Sequence, residues 1–503
     1  MTKVKEIFFK KNSLTSNIIK ERKICKILKH ELSYYHTTSF KWRQRIGCGI
    51  SDYACNLAYL LANTYLLFYY TNCAGLSAGA VGFMFVVTKF IDAGTDYIVG
   101  AILDHTDTKM GRYRPWLLFG APVLAIGMIL LFSVPTSWSA GAKLAWAYVT
   151  YIFFSLGYTL VNIPLTPIVT ALSPNPAERT KIATTRQVFA TLGSLTSSLF
   201  VIPMVYYFAG SPDATGSALA SGYRNTNIIL GIMVIVIMCI CVFSIVEINP
   251  PTRTVEKSTF LQDLRDVFKN KYYIMLLVLI FVMFAGYLGM YGAMQYYYSY
   301  VVGDVTAMPM ALSLLTILGI PSLLIAAFLN GKGIHKSKIV QFGAVVDLIG
   351  YFILFFTSNS TVATAALGLI GFGFGFRSGM FYSMLPDVFD YTEWKCGRCL
   401  AGTQSAVSGF LNKLASAFAS AAVSACLTWG GYNAAKLDSA VAAGQKIAEV
   451  YPKTHMAINF AFSGISIISG IIAIVVMFPY DLDKKYPEIR ADLDSRRAVK
   501  SES

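Results

Sequence analysis

Three ionisable residues lie close together in a stretch that is otherwise apolar. Lys89, Asp92 and Asp96 fall within residues 80–103, and their spacing of three and four residues puts them on one face of a helix. Two carboxylates one turn apart supply oxygen ligands for Na⁺, and a proton competes for the same place because adjacent carboxylates repel each other. An ion pair between Lys89 and Asp92 is the structural alternative, but it leaves Asp96 unexplained. The pattern therefore predicts a cation site.

Asp52 and Arg186 also lie in apolar stretches, where an ionisable side chain costs about 2.5–3.5 kcal/mol. A carboxylate acceptor and a guanidinium donor suit the hydroxyl groups of a sugar. The alternatives are a helix cap near the membrane interface for Asp52 and a snorkelling side chain at the membrane edge for Arg186. We interpret both residues as lining a polar cavity.

Two basic residues occur in later apolar stretches. Lys413 lies in the middle of its stretch and needs an acidic partner, for which Asp92 and Asp96 are candidates. Arg377 either contacts an anionic group of a substrate or pairs with Asp347, and we favour the pair.

Long apolar stretches must position these residues. The 503 residues are 55% apolar and 14% charged, whereas soluble chains carry about 25% charged residues; the mean hydropathy is +0.55. A membrane span needs about 20 apolar residues, and in lipid it must be helical. Twelve stretches qualify, with the approximate bounds 46–70, 80–103, 115–135, 143–172, 185–209, 225–247, 272–301, 307–330, 338–357, 361–386, 403–428 and 456–479. The expected fold class is therefore an all-α membrane protein with twelve transmembrane helices.

Positive charge is distributed unevenly between the loops. Lys and Arg concentrate in alternate loops and in the C-terminal tail, while three of the other loops hold none. The positive-inside rule then predicts that both termini are cytoplasmic, which requires an even number of spans. Residues 1–45 hold twelve Lys or Arg against three Glu. This tail indicates attachment to anionic lipid rather than to nucleic acid, and we expect no signal peptide.

The longest internal polar stretch divides the spans into two sets of six. We expect a basic cytoplasmic tail at 1–45, a six-helix bundle at 46–247, a cytoplasmic loop at 248–271, a second bundle at 272–480 and a cytoplasmic tail at 481–503. Basic, glycine-containing loops follow the second and eighth spans, which suggests a weak internal repeat. Two six-helix bundles around a midplane site are the plan of the major facilitators.

Tyrosines and cysteines give weaker signals. Tyr291 and the three consecutive tyrosines at 296–298 suit stacking on a sugar face. For the last three, an aromatic belt at the membrane interface is an equal alternative. The CxxC at 396–399 lacks the second pair that a structural zinc site needs. All five His lie outside the spans, and no nucleophile, base or metal-ligand spacing appears. We therefore expect neither an enzyme nor a cofactor, apart from a coupling ion.

Several motifs resemble the glycoside–pentoside–hexuronide:cation symporters, a branch of the major facilitators. The resemblance covers roughly residues 46–500, and its motifs are DAGTD at 92–96, GRYRPW at 111–116, YTLVNIP at 158–164, ERTK at 178–181, RQVFA at 186–190 and PDVFDYTE at 386–393. The resemblance implies a cation site that also includes Thr159. It likewise implies that Asp52 and Arg186 bind sugar and that Lys413 lies near the cation.

Two positions depart from the melibiose carrier of that family. Asn162 stands where that carrier has an Asp that serves sugar binding, and Thr166 stands where it has a Trp. The Asn-Ile-Pro form is more similar to the glucuronide and pentoside branches. Melibiose itself is therefore not the expected substrate, and for a hexuronide Arg377 is the candidate contact of the carboxylate.

These expectations combine into one hypothesis: Na⁺- or H⁺-coupled import of a sugar or glycoside across the cell membrane by alternating access. The cation would bind at Asp92, Asp96 and Thr159, within a charge network formed with Lys89 and Lys413. The sugar would bind at Asp52, Arg186, Asn162 and Thr166. A lipid or amphiphile transporter on the same scaffold is one alternative, and a transporter-like sensor that signals through its N-terminal tail is another. The sugar, the coupling ion and the oligomeric state stay open.

Overall fold

The computed structural model describes residues 38–104, 106–173, 175–211, 214–248, 260–398 and 400–502, and this part of the chain is helical without strands. The basic tail expected at 1–45 therefore lies mostly outside the described residues. So do residues 249–259 of the expected central loop, His105, and Cys399 of the CxxC pair.

Long helices dominate, and the expected twelve-span fold is confirmed. Eleven helical segments among the described residues are long and apolar enough to cross a membrane, and the helix Thr38–Phe68 completes the set of twelve. The helices are α1 (Thr38–Phe68), α2 (Ala78–Asp104), α3 (Arg114–Leu131), α4 (Ala140–Leu172), α5 (Pro176–Ala209), α6 (Gly216–Ser244), α7 (Phe260–Phe268), α8 (Lys271–Tyr297), α9 (Met308–Gly331), α10 (Lys336–Phe356), α11 (Ser360–Cys396), α12 (Ala401–Trp429), α13 (Ala434–Ala442), α14 (Ile447–Val450), α15 (Pro452–Asn459), α16 (Ile465–Met477) and α17 (Leu482–Glu502).

Polar caps fix where several spans begin. The Asn270 side chain accepts hydrogen bonds from the backbone N–H groups of Tyr272 and Tyr273 at the start of α8. Asn359 does the same for the first turn of α11. Each cap pairs donors that a helix leaves free at its N-terminus. At the other end of α11, Gly397 adopts a φ of 71°, the left-handed conformation that stops a helix and favours glycine.

The helices pack as two halves, α1–α6 and α8–α16. Within the first half α1 packs on α5 and α6, and α3 on α4; within the second half α11 packs on α9 and α10, and α8 on α12 and α16. Glycines allow the closest approach in the second half, since a Cβ on Gly371 would overlap the backbone carbonyl of Leu315. The halves meet along α1 with α8, α2 with α12, and α5 with α9.

One end of the molecule, here called the tyrosine end, is formed by residues 69–76, 291–302 and 430–451. The spans of α1 and α8 both finish there in π-helical turns, Tyr69–Cys73 and Tyr298–Val302. The tyrosines at 296–298 are fully buried there, so they do not form a belt that faces lipid. Instead, Tyr296 shares a hydrogen bond of 2.7 Å with Thr71 of the other half.

The opposite end, here called the basic end, carries the start of α1 and the helices α7 and α17. Helix α17 lies against α11, where Trp394 donates a hydrogen bond of 2.6 Å to Asp492. Just before α17, hydrogen bonds from Lys485 and Tyr272 lower the pKa of the Asp481 carboxyl to about 2. The C-terminal segment is thus attached to the second half.

Candidate functional site

A cavity of about 340 Å³ lies between the two halves. Its walls come from α1, α2 and α4 on one side and from α8, α11 and α12 on the other. The polar residues that line it are Asn56, Tyr59, Asn63, Lys89, Asp92, Asp96, Tyr151, Ser155, Tyr158, Thr159, Asn162, Tyr382, Asn412, Lys413, Ser416 and Ser420. This volume is at the lower end of the range for small-molecule sites, about 300–1,000 Å³.

Two carboxylates and two hydroxyls form the centre of one wall. Ser155 donates a short hydrogen bond to Asp92. Thr159 donates to Asp96 at 2.8 Å and lies 3.4 Å from Asp92. Because α2 and α4 pack together, their facing turns bring all four side chains to one place. Such an oxygen-only donor set suits a hard cation such as Na⁺, and either carboxylate can instead carry a proton.

Lysines from both halves surround these carboxylates. Lys413 reaches across from α12 and forms an ion pair with Asp96, and its Nζ lies 3.5 Å from Asp92. Lys89 lies 4.0 Å from Asp92 on the same helix, with its Nζ 5.8 Å from the centre of the Tyr151 ring. The structure therefore brings together the residues of the predicted cation site and the predicted charge network.

Ser155 is a donor that sequence reasoning missed. It precedes Thr159 by four residues, so the two hydroxyls share one face of α4. That spacing was the available signal, but serine is common in transmembrane helices and carries no charge to single it out.

Asp52 and Arg186 are not among the residues that line the cavity. Arg186 holds Asp52 in a two-pronged ion pair, and it also donates a hydrogen bond of 2.5 Å to the carbonyl of Leu165. Asn56, one turn along α1, donates to the Asp52 carbonyl and does line the cavity. The pair thus ties α1, α4 and α5 together beside the cavity, and its contact with a sugar stays a prediction.

The two positions that depart from the melibiose carrier are both exposed on α4. Asn162 lines the cavity, and Thr166 follows one turn farther towards the basic end. Thr170, one more turn along, is exposed as well. These three polar residues form a stripe from the cavity towards the basic end.

Arg377 does not lie among the cavity residues. It forms an ion pair with Asp347, with side-chain exposures of 3% and 1%. Both residues belong to the second half, on α11 and α10. The pair that the sequence favoured is present, and in this conformation Arg377 contacts Asp347 rather than the cavity.

Aromatic rings line the cavity beside the polar cluster. The Tyr59 and Tyr158 rings lie 5.9 Å apart, and Phe154 lies 6.5 Å from Tyr158. Tyr382 contributes from α11, with 56% of its surface exposed. Flat rings of this kind suit the apolar faces of a sugar ring. The sequence did not single them out, because tyrosine and phenylalanine occur throughout its apolar stretches.

The fold and this cavity define a major facilitator, and comparison with known proteins gives the family. Residues 47–484 match the family described as MFS/sugar transport protein. The chain belongs to that family, and it is a transporter rather than an enzyme.

Similar proteins of known name span nearly the whole chain. An isoprimeverose transporter of Lactiplantibacillus pentosus is 33% identical over 474 residues, which cover 93% of this chain and 94% of that protein. A glucuronide carrier protein homolog of Escherichia coli (strain K12) is 27% identical over 466 residues, covering 92% and 97%. The resemblance to the glycoside–pentoside–hexuronide branch is thereby confirmed.

Solved structures confirm the fold alone. A bacterial homolog of the human lysosomal transporter Spinster, in an inward-facing and unoccupied conformation, matches with a TM-score of 0.66 at 14% identity, covering 90% of this chain and 99% of that one. A D-xylose-proton symporter matches with a TM-score of 0.61 at 16% identity, again covering 90% and 99%.

Proposed function

We propose that this protein imports a neutral glycoside together with Na⁺ or H⁺ by alternating access. The observation that carries the proposal is the cluster of Asp92, Asp96, Ser155 and Thr159 in a cavity shared by both halves. A cation site in the wall of a cavity between two movable halves allows cation and sugar to bind next to each other. Each then raises the affinity for the other by the same factor.

The basic end is the cytoplasmic side in this proposal. Positively charged loops stay in the cytoplasm, and the exposed stripe of Asn162, Thr166 and Thr170 leads from the cavity towards that end. The conformation described here is then inward-facing, with the tyrosine end closed towards the outside. Cys396, near the basic end, offers a test: a membrane-impermeant maleimide should label it in inside-out vesicles and not in intact cells.

Lys413 competes with the coupling cation for the carboxylates of Asp92 and Asp96. Its ammonium group pairs with Asp96 and lies 3.5 Å from Asp92, so it occupies the position where a bound cation would neutralise both carboxylates. When the cation binds, Lys413 is released and the contact between α2 and α12 changes. When the cation leaves, Lys413 neutralises the carboxylates again, which lets the empty carrier return without bare charges in the membrane.

A neutral glycoside fits the charges of the cavity better than a uronide does. The charged residues lining it are two lysines and two aspartates, all within one network. A uronide carboxylate would have to compete with Asp92 and Asp96 for a lysine. The relative named as an isoprimeverose transporter also supports a neutral disaccharide, whereas the glucuronide carrier homolog is less similar. An amphiphile is less suited to a cavity this rich in hydrogen-bonding groups.

Uptake by the full chain tests the proposal. Cells that express it are given isoprimeverose, methyl glucuronide or melibiose, with and without Na⁺ and over a range of pH. We expect cation-stimulated accumulation of isoprimeverose and little accumulation of the glucuronide. Accumulation of none of the three, or uptake that neither Na⁺ nor pH affects, would contradict the proposal.

A further inference from the structure

Buried polar groups in and beside the tyrosine end lack hydrogen-bond partners among the described residues. Tyr223 of the first half donates a hydrogen bond of 2.7 Å to Oε1 of Gln295 in the second half, and the Tyr65 ring lies 6.4 Å from that of Tyr223. All three side chains are at least 99% buried. Nevertheless Nε2 of Gln295 and the hydroxyl of Tyr65 make no hydrogen bond within the part of the chain that the structure describes. Tyr65, Tyr223 and Gln295 are called the Gln295 cluster below.

Unpaired donors of this kind are unusual in a folded interior, because an unmade hydrogen bond there is unfavourable. A contact that served only to close the tyrosine end would be expected to satisfy its own polar atoms. The Thr71–Tyr296 contact nearby does so, with its two hydroxyls bonded to each other at 2.7 Å. The spare groups of the Gln295 cluster lie on both sides of the boundary between the halves, Tyr65 in the first half and Gln295 in the second. A state in which the halves separate would therefore free both groups of the cluster to bind a ligand.

Its place in the fold indicates which state that is. Gln295 follows Gly292 by three residues, so it lies about one turn farther along the same face of α8. Gly292 lines the central cavity, as does Asn63 opposite it on α1. The cluster thus begins where the cavity ends. When the halves separate at the tyrosine end, Tyr223 and Gln295 move apart and the cavity extends over them.

We propose that the Gln295 cluster is a second glycoside subsite, formed when the tyrosine end opens, which binds hydroxyl groups of the sugar as it arrives from outside. This inference rests on the proposed import of a glycoside. A carboxamide offers a donor and an acceptor side by side, which match neighbouring hydroxyls of a sugar. The phenols of Tyr65 and Tyr223 add ring faces and two further hydroxyl groups.

Two variants separate this subsite from a simple latch. Gln295→Leu and Tyr223→Phe both remove the hydrogen bond between the halves, so both should ease opening. Cys73 is buried at the same end, and its labelling by an impermeant maleimide in intact cells reports that opening. A latch alone predicts more labelling and an unchanged or lower KM for external isoprimeverose. The subsite predicts more labelling together with a higher KM, raised about five- to ten-fold in Gln295→Leu and less in Tyr223→Phe.

Tyr297→Phe is the matched control. Tyr297 is a buried tyrosine of the same helix, but its hydroxyl donates to the carbonyls of Leu354 and Thr357 within the second half. We expect it to leave KM and Cys73 labelling unchanged. KM does not depend on how much protein reaches the membrane, so lower expression of a variant does not hide the effect.

Two outcomes would overturn the inference, and they differ in what they say about import. If the wild type accumulates isoprimeverose and both variants keep or lower its KM, the subsite is wrong and the proposed function stands. If the wild type accumulates no glycoside of the panel, the proposed function fails and the subsite fails with it.

Discussion

Two carboxylate–cation pairs at membrane depth differ in whether they cross the boundary between the halves. Asp347 and Arg377 both belong to the second half and are almost completely buried. Asp96 belongs to the first half and Lys413 to the second, with side-chain exposures of 27% and 34%. A pair inside one rigid half has no reason to break during transport, whereas a pair across the boundary can exchange its partner for an ion from solution.

An ionisable residue in a membrane span is therefore not by itself a transport residue. Both pairs look alike in the sequence, as isolated charges in apolar stretches. Their environments differ, and on that basis we propose a structural role for the pair within one half and a transport role for the pair across the boundary. The predictions below test that separation.

Breaking the buried pair should have the largest effect. Arg377→Met leaves Asp347 as an unpaired buried charge and should reduce the free energy of unfolding by about 3–5 kcal/mol. The double variant Asp347→Leu/Arg377→Met should recover most of that loss. One reason is that Asp347 Oδ1 and Arg377 Nε already lack hydrogen-bond partners among the described residues. Thermal unfolding of the purified protein measures both effects, and a double variant no more stable than Arg377→Met would argue against a structural pair.

Asp92→Asn should leave the fold intact and remove coupling. The amide keeps the size of the side chain and can still bond to Ser155, but it binds a cation poorly. We expect cation-stimulated accumulation to fall about 10- to 100-fold, while glycoside counterflow, which needs no cation gradient, persists. Full stimulation in this variant would contradict the assigned cation site.

Lys413→Gln should change coupling in the opposite direction. Without the competing ammonium group, the cation concentration for half-maximal stimulation should fall about five-fold. Return of the empty carrier should slow, because its carboxylates are then left without a counter-charge. Net uptake should therefore drop more than exchange does. The matched control is Lys436→Gln, because Lys436 is an exposed lysine on α13. Equal losses of uptake and exchange would point to a structural role for Lys413.

The smallest expected effect concerns pH at the tyrosine end. Asp438 on α13 accepts a hydrogen bond from Tyr300, whose hydroxyl also accepts one from Asn72 of the first half. Burial raises the pKa of the Asp438 carboxyl, and the bond from Tyr300 partly opposes that rise. The closed end therefore favours the protonated form, so closure strengthens as pH falls and weakens as pH rises through the raised pKa.

Labelling of Cys73 checks this pH dependence. The ratio of labelling in the wild type to that in Asp438→Asn cancels the pH dependence of the reagent itself. We expect that ratio to fall, by less than about five-fold, between neutral and mildly acidic pH. A ratio that stays constant or rises on acidification would show that Asp438 does not make closure of the tyrosine end depend on pH.

The spans could be predicted because each helix in lipid must be apolar over its own length, so a single stretch of sequence is enough to indicate it. The cluster of Asp92 and Asp96 could be predicted for a related reason, since the two residues are charges one turn apart. The two-pronged pair of Asp52 with Arg186 could not be predicted, because it depends on how α1 packs against α5. Uncharged residues such as Ser155 and Gln295 were missed, since nothing in the sequence marks which face of a helix a neutral polar group occupies.

Cation binding by Asp92 and Asp96, in thermodynamic linkage with the glycoside, can be measured directly. The experiment is calorimetric titration of the purified protein with isoprimeverose, at constant ionic strength, with and without Na⁺ and at two pH values. We expect that Na⁺ or protonation raises glycoside affinity about 5- to 150-fold, and that Asp96→Asn abolishes the increase. Equal affinity under all these conditions in the wild type would contradict it.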